Sequence, residues 1–388
     1  MEVAEVNGKR QELLAQVQAI APDLEALRDA DEANGTLTGE TVALLDEAGL
    51  FRLKLPRELG GHEADPATQL LVLEEMARAN ISAAWCTMVG ATGVSQPGAF
   101  LPDEAISTIF AGGKVPRFAT VGMPMGKAVP VEGGYRVTGR WSFASGVRHS
   151  AWISTTAITE CPGGSEPLKV VIPTASVELH DNWHVVGLRG TGSCDFSAEN
   201  LFVPEAFTWR QTGEVPKRGG PLYKLGFPGY VANEHAGVAL GLARAALDRF
   251  VAKETERSRS YVPGMPALAT RPVIQDAIGR MALKLRGARL LAIDANEAVW
   301  QTLEAGGEAD VQQQCELRAA ATFATEAAIE IVTDVFRHAG GSAIYVQNAL
   351  QQMLRDINTA AQHRMVSAAA FENLGQVLLG KPDVNPMQ

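Results

Sequence analysis

Apolar and polar positions change their period twice along this chain. Up to about residue 114 the apolar residues recur at helical spacing. Thr38 precedes a run carrying Val42, Leu44 and Leu45, and Gly49 follows it, so a capped helix is predicted there. The stretch LKLPRELGG at 53–61 is bounded by proline and glycine and reads as a connector. A helix is predicted around 70–79. An almost uncharged one runs from Ser82 to about Ala91, and its lack of a polar face requires burial on most sides. Pro102-Asp103-Glu104 opens a short helix that Gly112-Gly113 ends.

Past residue 114 the period falls to two. Short alternating runs of Val, Thr and aromatic residues at 118–121, 135–143, 152–158, 170–172 and 194–203 predict a small β-domain. The Gly- and Pro-rich stretch 213–229 reads as a linker. Helical spacing then returns, with Val238, Leu242, Ala246 and Phe250, then Ile274, Ile278, Met281 and Leu285, and further segments at 317–339 and 350–379. These long segments suffice for an antiparallel bundle. The predicted fold is α+β and mainly α: an N-terminal helical domain (1–114), a middle β-domain (115–212) and a C-terminal four-helix bundle (213–388).

Composition narrows the function classes. The 388 residues, 46% hydrophobic and 20% charged, make a globular chain with a large core. A formal net charge of -10 with no basic run argues against nucleic acid and anionic membranes as partners. Cys86, Cys161, Cys194 and Cys315 lie far apart without C-x-x-C spacing, so neither a metal site nor a disulfide framework is expected, and a reducing cytosol fits. The N-terminal stretch has no apolar signal core, and the most apolar window, 82–101, is interrupted by Gly, Gln and Pro. A soluble, cytoplasmic protein is expected. P-loop, nucleophile-elbow and Rossmann fingerprints are absent.

The candidate chemistry centres on GRWSFASGVRHSAW at 139–152. An alternating strand carries Trp141 and Phe143 on one face, then breaks at Ala144-Ser145-Gly146. Aromatics can wall a planar polar ring, a hydroxyl can bond its nitrogen or carbonyl, and glycine permits close backbone approach. The plain alternative is ordinary core followed by a turn. His149 could line the same pocket or make a structural hydrogen bond.

This segment resembles the flavin-ring segment of the acyl-CoA dehydrogenase superfamily. Its form W-S-F-A-S-G-x-x-H-x-x-W is closer to the oxygenase components of two-component monooxygenases, of the 4-hydroxyphenylacetate and steroid-phenol hydroxylase type. The resemblance spans nearly the whole chain. LPRELGG at 55–61 is similar to the family's first connector, and GLRGTGS at 187–193 followed by Val203-Pro204-Glu205 to the close of its β-domain. Glu256-Arg257 resembles the arginine that meets flavin phosphates from a neighbouring subunit. Gln275 sits at another cofactor position, and Gly340-Gly341 with Arg355-Asp356 repeats the C-terminal spacing.

The resemblance implies a fold of helical domain, β-domain and four-helix bundle. It also implies an oxygenase that takes FMNH2 or FADH2 from a separate NAD(P)H:flavin reductase and hydroxylates a small aromatic substrate with O2 through a flavin C4a-hydroperoxide. Trp141, Phe143, Ala144, Ser145, Arg257, Gln275, Arg337, Gly340 and Gly341 are its implied flavin contacts. Ser145 would bond flavin N5, and a homotetramer is implied because Arg257 serves a neighbour's cofactor. Many dehydrogenases of the family carry a catalytic glutamate nine residues after the arginine matched by Arg355. Here that position is Arg364, preceded by His363. His363 matches the histidine that takes a phenol proton in the aromatic hydroxylases. An imidazole of pKa about 6.5 suits that task. Two departures stand beside this. Glu234 lies near the alternative position of the dehydrogenase glutamate, with His235 next to it, and Thr92 and Ser95 occupy a region where phenol hydroxylases often have a histidine. The alternatives are a dehydrogenase with permanently held FAD and Glu234 as base, or a non-catalytic member of the family.

Overall fold

The computed structural model of the protein describes residues 3–161, 164–210, 213–256 and 267–388. Its first helices are α1 (Val3–Asn34), α2 (Gly39–Glu47), α3 (Pro66–Ala79), α4 (Ile81–Phe100) and α5 (Asp103–Ile109). Their starts are written in capping residues. Thr38 accepts from Thr41 N–H, Asp65 from Thr68 N–H ahead of Pro66, and Asn80 from Ala83 N–H. Helix α4 runs past the expected end at Ala91 to Phe100. Pro97 falls in its last turn, and nearly every residue of the helix is buried.

The strands follow: β1 (Phe118–Val131), β2 (Gly134–Trp141), β3 (Trp152–Cys161), β4 (Gly164–Pro173), β5 (Glu178–Leu179), β6 (Phe196–Pro204) and β7 (Thr208–Arg210). They form one sheet in the order β5-β6-β2-β1-β3-β4-β7. Only β1 and β3 pair in parallel, and β1 is bulged between Val121 and Gly126. Its core centres on Trp141, which stacks on the facing Phe196 with ring centroids 5.0 Å apart. Gly126 and Gly139 press on this indole, and a Cβ on either would stand 2.1 Å or 2.9 Å from it.

The chain ends in α6 (Gly229–Arg249, continued by a π-turn at Phe250–Glu254), α7 (Pro272–Glu304), α8 (Val311–Ala339), α9 (Ala349–Ala360) and α10 (Ala369–Leu378). Helices from both ends of the chain share one hydrophobic core, with Leu70, Leu73 and Met76 packed among Val238, Leu242, Leu285 and Leu317. Helix α6 crosses α3 so closely that a Cβ at Gly237 or Gly241 would lie 2.4 Å from Leu70 O or 2.1 Å from Glu74 O. The fourth expected segment, 350–379, is not one helix. It breaks between α9 and α10 because the buried Arg318 of α8 draws backbone out of helical pairing. Its guanidinium donates to Met365 O (3.3 Å), Arg364 O (3.1 Å), Ser367 Oγ (3.0 Å) and Pro386 O (2.7 Å). His363 stands at the start of that break.

Candidate active site

Strand β2 ends at Trp141, and the chain turns back on itself through Phe143 and Gly146, with φ of 67° and 73°. Residues 188–194 fasten this turn: Ala144 N–H donates to Cys194 O (3.2 Å) and Gly146 N–H to Thr191 O (2.9 Å). Ser145 is thereby set among other hydroxyls. Its Oγ lies 2.7 Å from Ser193 Oγ, which lies 2.6 Å from Thr191 Oγ1. Thr191 donates onward to Leu188 O at 2.8 Å. From α4, Trp85 donates its indole N–H to Ser145 Oγ at 3.1 Å. Asp356 of α9 steadies the arrangement from behind by accepting Leu188 N–H at 2.7 Å.

Trp85 also carries the connection to the histidines. Its ring meets His235 edge-on at 5.4 Å and His363 edge-on at 5.9 Å, and the two imidazoles stack 4.2 Å apart. Helix α6 supplies His235, and the break after α9 supplies His363. Ser145 and His363, matched separately in the sequence, thus both reach one indole.

Farther along the α4–α6 seam lies a buried ion pair. Lys54 Nζ is 3.2 Å from Glu234 Oε2, donates to Thr92 Oγ1 (3.0 Å) and Tyr230 O (2.6 Å), and sits 3.7 Å from the centroid of the Tyr230 ring. Thr92 donates to Glu234 Oε2 at 3.2 Å, and Ser95 shares a 2.7 Å hydrogen bond with Tyr230 OH. Glu234 Oε1 is buried without a partner among the described residues. Burial raises the Glu234 pKa and lowers that of Lys54, and each partner's charge opposes the change.

Burial also governs the histidines. It holds His235 well below the ordinary imidazole range, with His363 and Lys54 adding to the effect, and pushes His363 down to about 4. His363 keeps an open face to water in the isolated chain, and that solvent moderates its depression. At neutral pH both rings are uncharged. The neutral His363 ring also has a fixed tautomer: Nδ1 accepts Met365 N–H at 3.2 Å, so the proton sits on Nε2. This corrects the expected base role. With Nδ1 occupied, Nε2 can give or share a proton but has no lone pair with which to take one.

Two half-buried histidines make stability depend on pH. His149 is pushed down to about 4 by burial and by Arg117, and His62 to about 4 by burial and then by Lys9 and Arg52. The unfolded chain protonates these rings near 6.5 and the folded chain does not, so stability is complete above about 6.5 and falls as pH drops toward 4. Thermal melts from neutral to mildly acidic pH should therefore show a steadily falling midpoint. A midpoint constant across that range would contradict the assignment.

The remaining expected contacts divide. Trp141 does not wall a ligand: it is fully buried in the sheet core, with its N–H donated to Thr156 O at 2.8 Å. It and Phe143 share no strand face, because β2 ends between them. Ala144 is also committed, with its methyl in the core, its N–H on Cys194 O and its carbonyl accepting from Val147. Phe143 is 71% exposed and meets Trp183 edge-on, which leaves it free to cover a ring. Arg257 lies outside the described residues. Gln275 is exposed and donates to Ala269 O at 2.9 Å. Arg337, Gly340 and Gly341 lie at the far end of the bundle, where Phe250 packs against His338. Phe250 is fifteen residues beyond His235, roughly 22 Å along the helix axis. Within one chain, that group does not meet Ser145 and His363. The sequence reading missed Trp85, Ser193, Thr191 and Lys54 as site residues. Trp85 could have been found as the one tryptophan in a helix of small residues.

A flavin ring suits the Ser145 end of this site. Ser145 Oγ retains a lone pair after its two bonds, and Phe143, two residues before it, offers exposed apolar surface. Helices packed beside a sheet, with a hydroxyl turn joined through Trp85 to a histidine pair, fit a flavin-enzyme architecture without a nucleotide-binding α/β domain. The chain belongs to the acyl-CoA dehydrogenase family: its N-terminal domain family matches residues 9–99 and its C-terminal domain family residues 234–368. The chain is 29% identical to indole-3-acetate monooxygenase of Pseudomonas putida over 337 residues, covering 86% of this chain and 85% of that one. It is 26% identical to the oxygenase component of FADH2-dependent resorcinol hydroxylase of Rhizobium sp., covering 91% and 90%. The crystal structure of the HsaA monooxygenase from M. tuberculosis superposes with a TM-score of 0.89 at 25% identity, covering 98% of this chain and 100% of that one.

Proposed function

We propose that the protein is the oxygenase component of a two-component flavin-dependent monooxygenase that hydroxylates a small aromatic substrate. The observation that carries this reading is the contact of Ser145, Trp85, His235 and His363 in one cluster, in a chain whose relatives are oxygenases. Reduced flavin, FMNH2 or FADH2, supplies with O2 one oxygen atom for the substrate, and the other leaves as water. The chain's own part is to hold and shield. Ser145 accepts from the ring, Phe143 covers it and excludes water, and the uncharged His235–His363 pair offers a stacking surface to an aromatic substrate. His363 Nε2–H holds the substrate's polar group.

A separate NAD(P)H:flavin reductase delivers the reduced cofactor. The working assembly is a homotetramer, in which Arg257, Gln275, Arg337, Gly340 and Gly341 of one subunit serve the flavin of a neighbour. The roughly 22 Å between His235 and the end of the bundle that carries Arg337, Gly340 and Gly341 supports this, as do exposed Leu283, Leu290 and Leu291 on α7. A cytoplasmic location accords with four free cysteines.

The test supplies a flavin reductase, NADH and 18O2, and screens phenols and indoles for labelled product. Incorporation of one labelled atom supports the reading. Bleaching of a bound yellow flavin by an acyl-CoA, without oxygen incorporation, would instead establish a dehydrogenase with Glu234 as its base.

A further inference from the structure

Arg318 stands on α8, yet everything its guanidinium holds lies in two other stretches of chain. Nε donates to Met365 O (3.3 Å) and Nη2 to Arg364 O (3.1 Å) and Ser367 Oγ (3.0 Å), all in the turn that follows His363. Nη1 donates to Pro386 O (2.7 Å) and Gln388 O (3.2 Å). All five N–H groups of the side chain are thereby spent, and the residue is 1% exposed. The same two stretches are tied again from outside: Arg364 Nη2 donates to Met387 O at 2.9 Å, and Asn373 Nδ2 to Gln388 O at 2.8 Å. Residues 386–388 thus lie as a strap along the 364–367 turn, and Arg318 fastens one to the other.

One of the gripped groups belongs to the peptide unit that sets the state of His363. Arg364 O and Met365 N–H are the two ends of a single planar peptide, and in a trans peptide they point in opposite directions. Holding Arg364 O on Nη2 therefore also aims Met365 N–H, which donates to His363 Nδ1 at 3.2 Å. Met365 O on Nε fixes the next peptide in turn. We infer that Arg318 is a positioning residue for His363, keeping the ring proton on Nε2 by holding the 364–365 peptide, an assignment whose bearing on the reaction rests on the substrate role given to His363 above. Without that grip the peptide is free to rotate and Nδ1 is released. The proton then divides between the two nitrogens, and a share of the rings offers the substrate a bare Nε2 in place of a donor.

Solid-state NMR of histidine-labelled (15N) protein at neutral pH tests this without substrate. Subtracting the spectrum of His363→Gln isolates the two ring nitrogens of His363, and the wild type should show Nε2 protonated and Nδ1 bare. Arg318→Met removes the grip altogether. Arg318→Lys is the milder variant, since it keeps the charge but has three donors on one nitrogen and cannot serve five oxygens in two stretches. Each should shift the tautomer ratio toward Nδ1 by roughly 2- to 12-fold, the scale of one neutral hydrogen bond. Thermal melts check that each variant folds. An unchanged tautomer in folded Arg318→Lys overturns the inference. With a screened substrate, product formed per NADH gives a second readout. Arg318→Lys should lower it in the wild-type background and have no further effect beside His363→Gln, because the two residues act as a unit. An equal loss in both backgrounds would make Arg318 a structural residue and overturn the positioning role. If no substrate is oxygenated by the wild type, the functional reading falls, while the tautomer shift still decides whether Arg318 sets the state of His363.

Discussion

Replacing His363 with alanine should slow oxygen transfer by about 10²–10⁴-fold, the usual scale for a positioned proton-transfer group. Flavin oxidation by O2 should continue, so hydrogen peroxide replaces product. The wild-type rate should also be flat across the neutral range. Burial lowers the His363 pKa from its ordinary value, and the Met365 N–H on Nδ1 keeps the proton on Nε2, so the uncharged ring prevails across that range. His363→Gln, which keeps a donor, should recover part of the lost rate. Product and peroxide measured together, over a pH series with a screened substrate, decide the matter. A wild-type rate that climbs through about 6.5, with that limb missing in His363→Ala, would restore the base role that the sequence suggested. Unchanged transfer in the alanine variant would move the role to His235, His149 or Glu234.

Much of the scaffold was legible because its signals are local. Thr38 capped its helix as expected, and the fall to period two after residue 114 marked the sheet. The pairing of Ser145 with His363 was legible only through family resemblance, since nothing local ties residue 145 to residue 363. Trp141 was misplaced because an alternating pattern does not announce where a strand stops. The sheet pairs β2 with β1 as far as Gly139 and with β6 as far as Trp141, and the left-handed turn at Phe143 then reverses the alternation. The break in 350–379 was hidden for a different reason. Its own residues keep helical spacing, and the cause lies on α8, in the guanidinium of Arg318. Trp85 and Lys54 escaped notice for lack of contrast: α4 has no polar face to single out a residue, and a lone lysine in a connector ordinarily points to solvent.

Lys54 and Glu234 should respond to single replacement with opposite pH dependence. Lys54→Met removes the cation from a carboxylate that is 2% exposed, leaving Thr92 as its one partner and Oε1 unpaired. Breaking a buried pair from one side costs about 3–5 kcal/mol. The stranded Glu234 then has a folded pKa above its unfolded value, so its stability is intact below the unfolded value and is lost as pH rises through the folded one. The Lys54→Met deficit should therefore be smallest in acid and grow toward alkaline pH. Glu234→Gln strands an ammonium instead. Lys54 in that variant has a folded pKa below its unfolded value, so protonation disfavours the fold and the deficit should grow as pH falls. The double variant Lys54→Met/Glu234→Gln buries no charge and should recover most of the loss, within about 1–2 kcal/mol of the wild type. Urea unfolding at mildly acidic and mildly alkaline pH measures all three. Parallel pH slopes in the two single variants, or a double variant no more stable than either, would show that the pair is not held as ions in the folded protein.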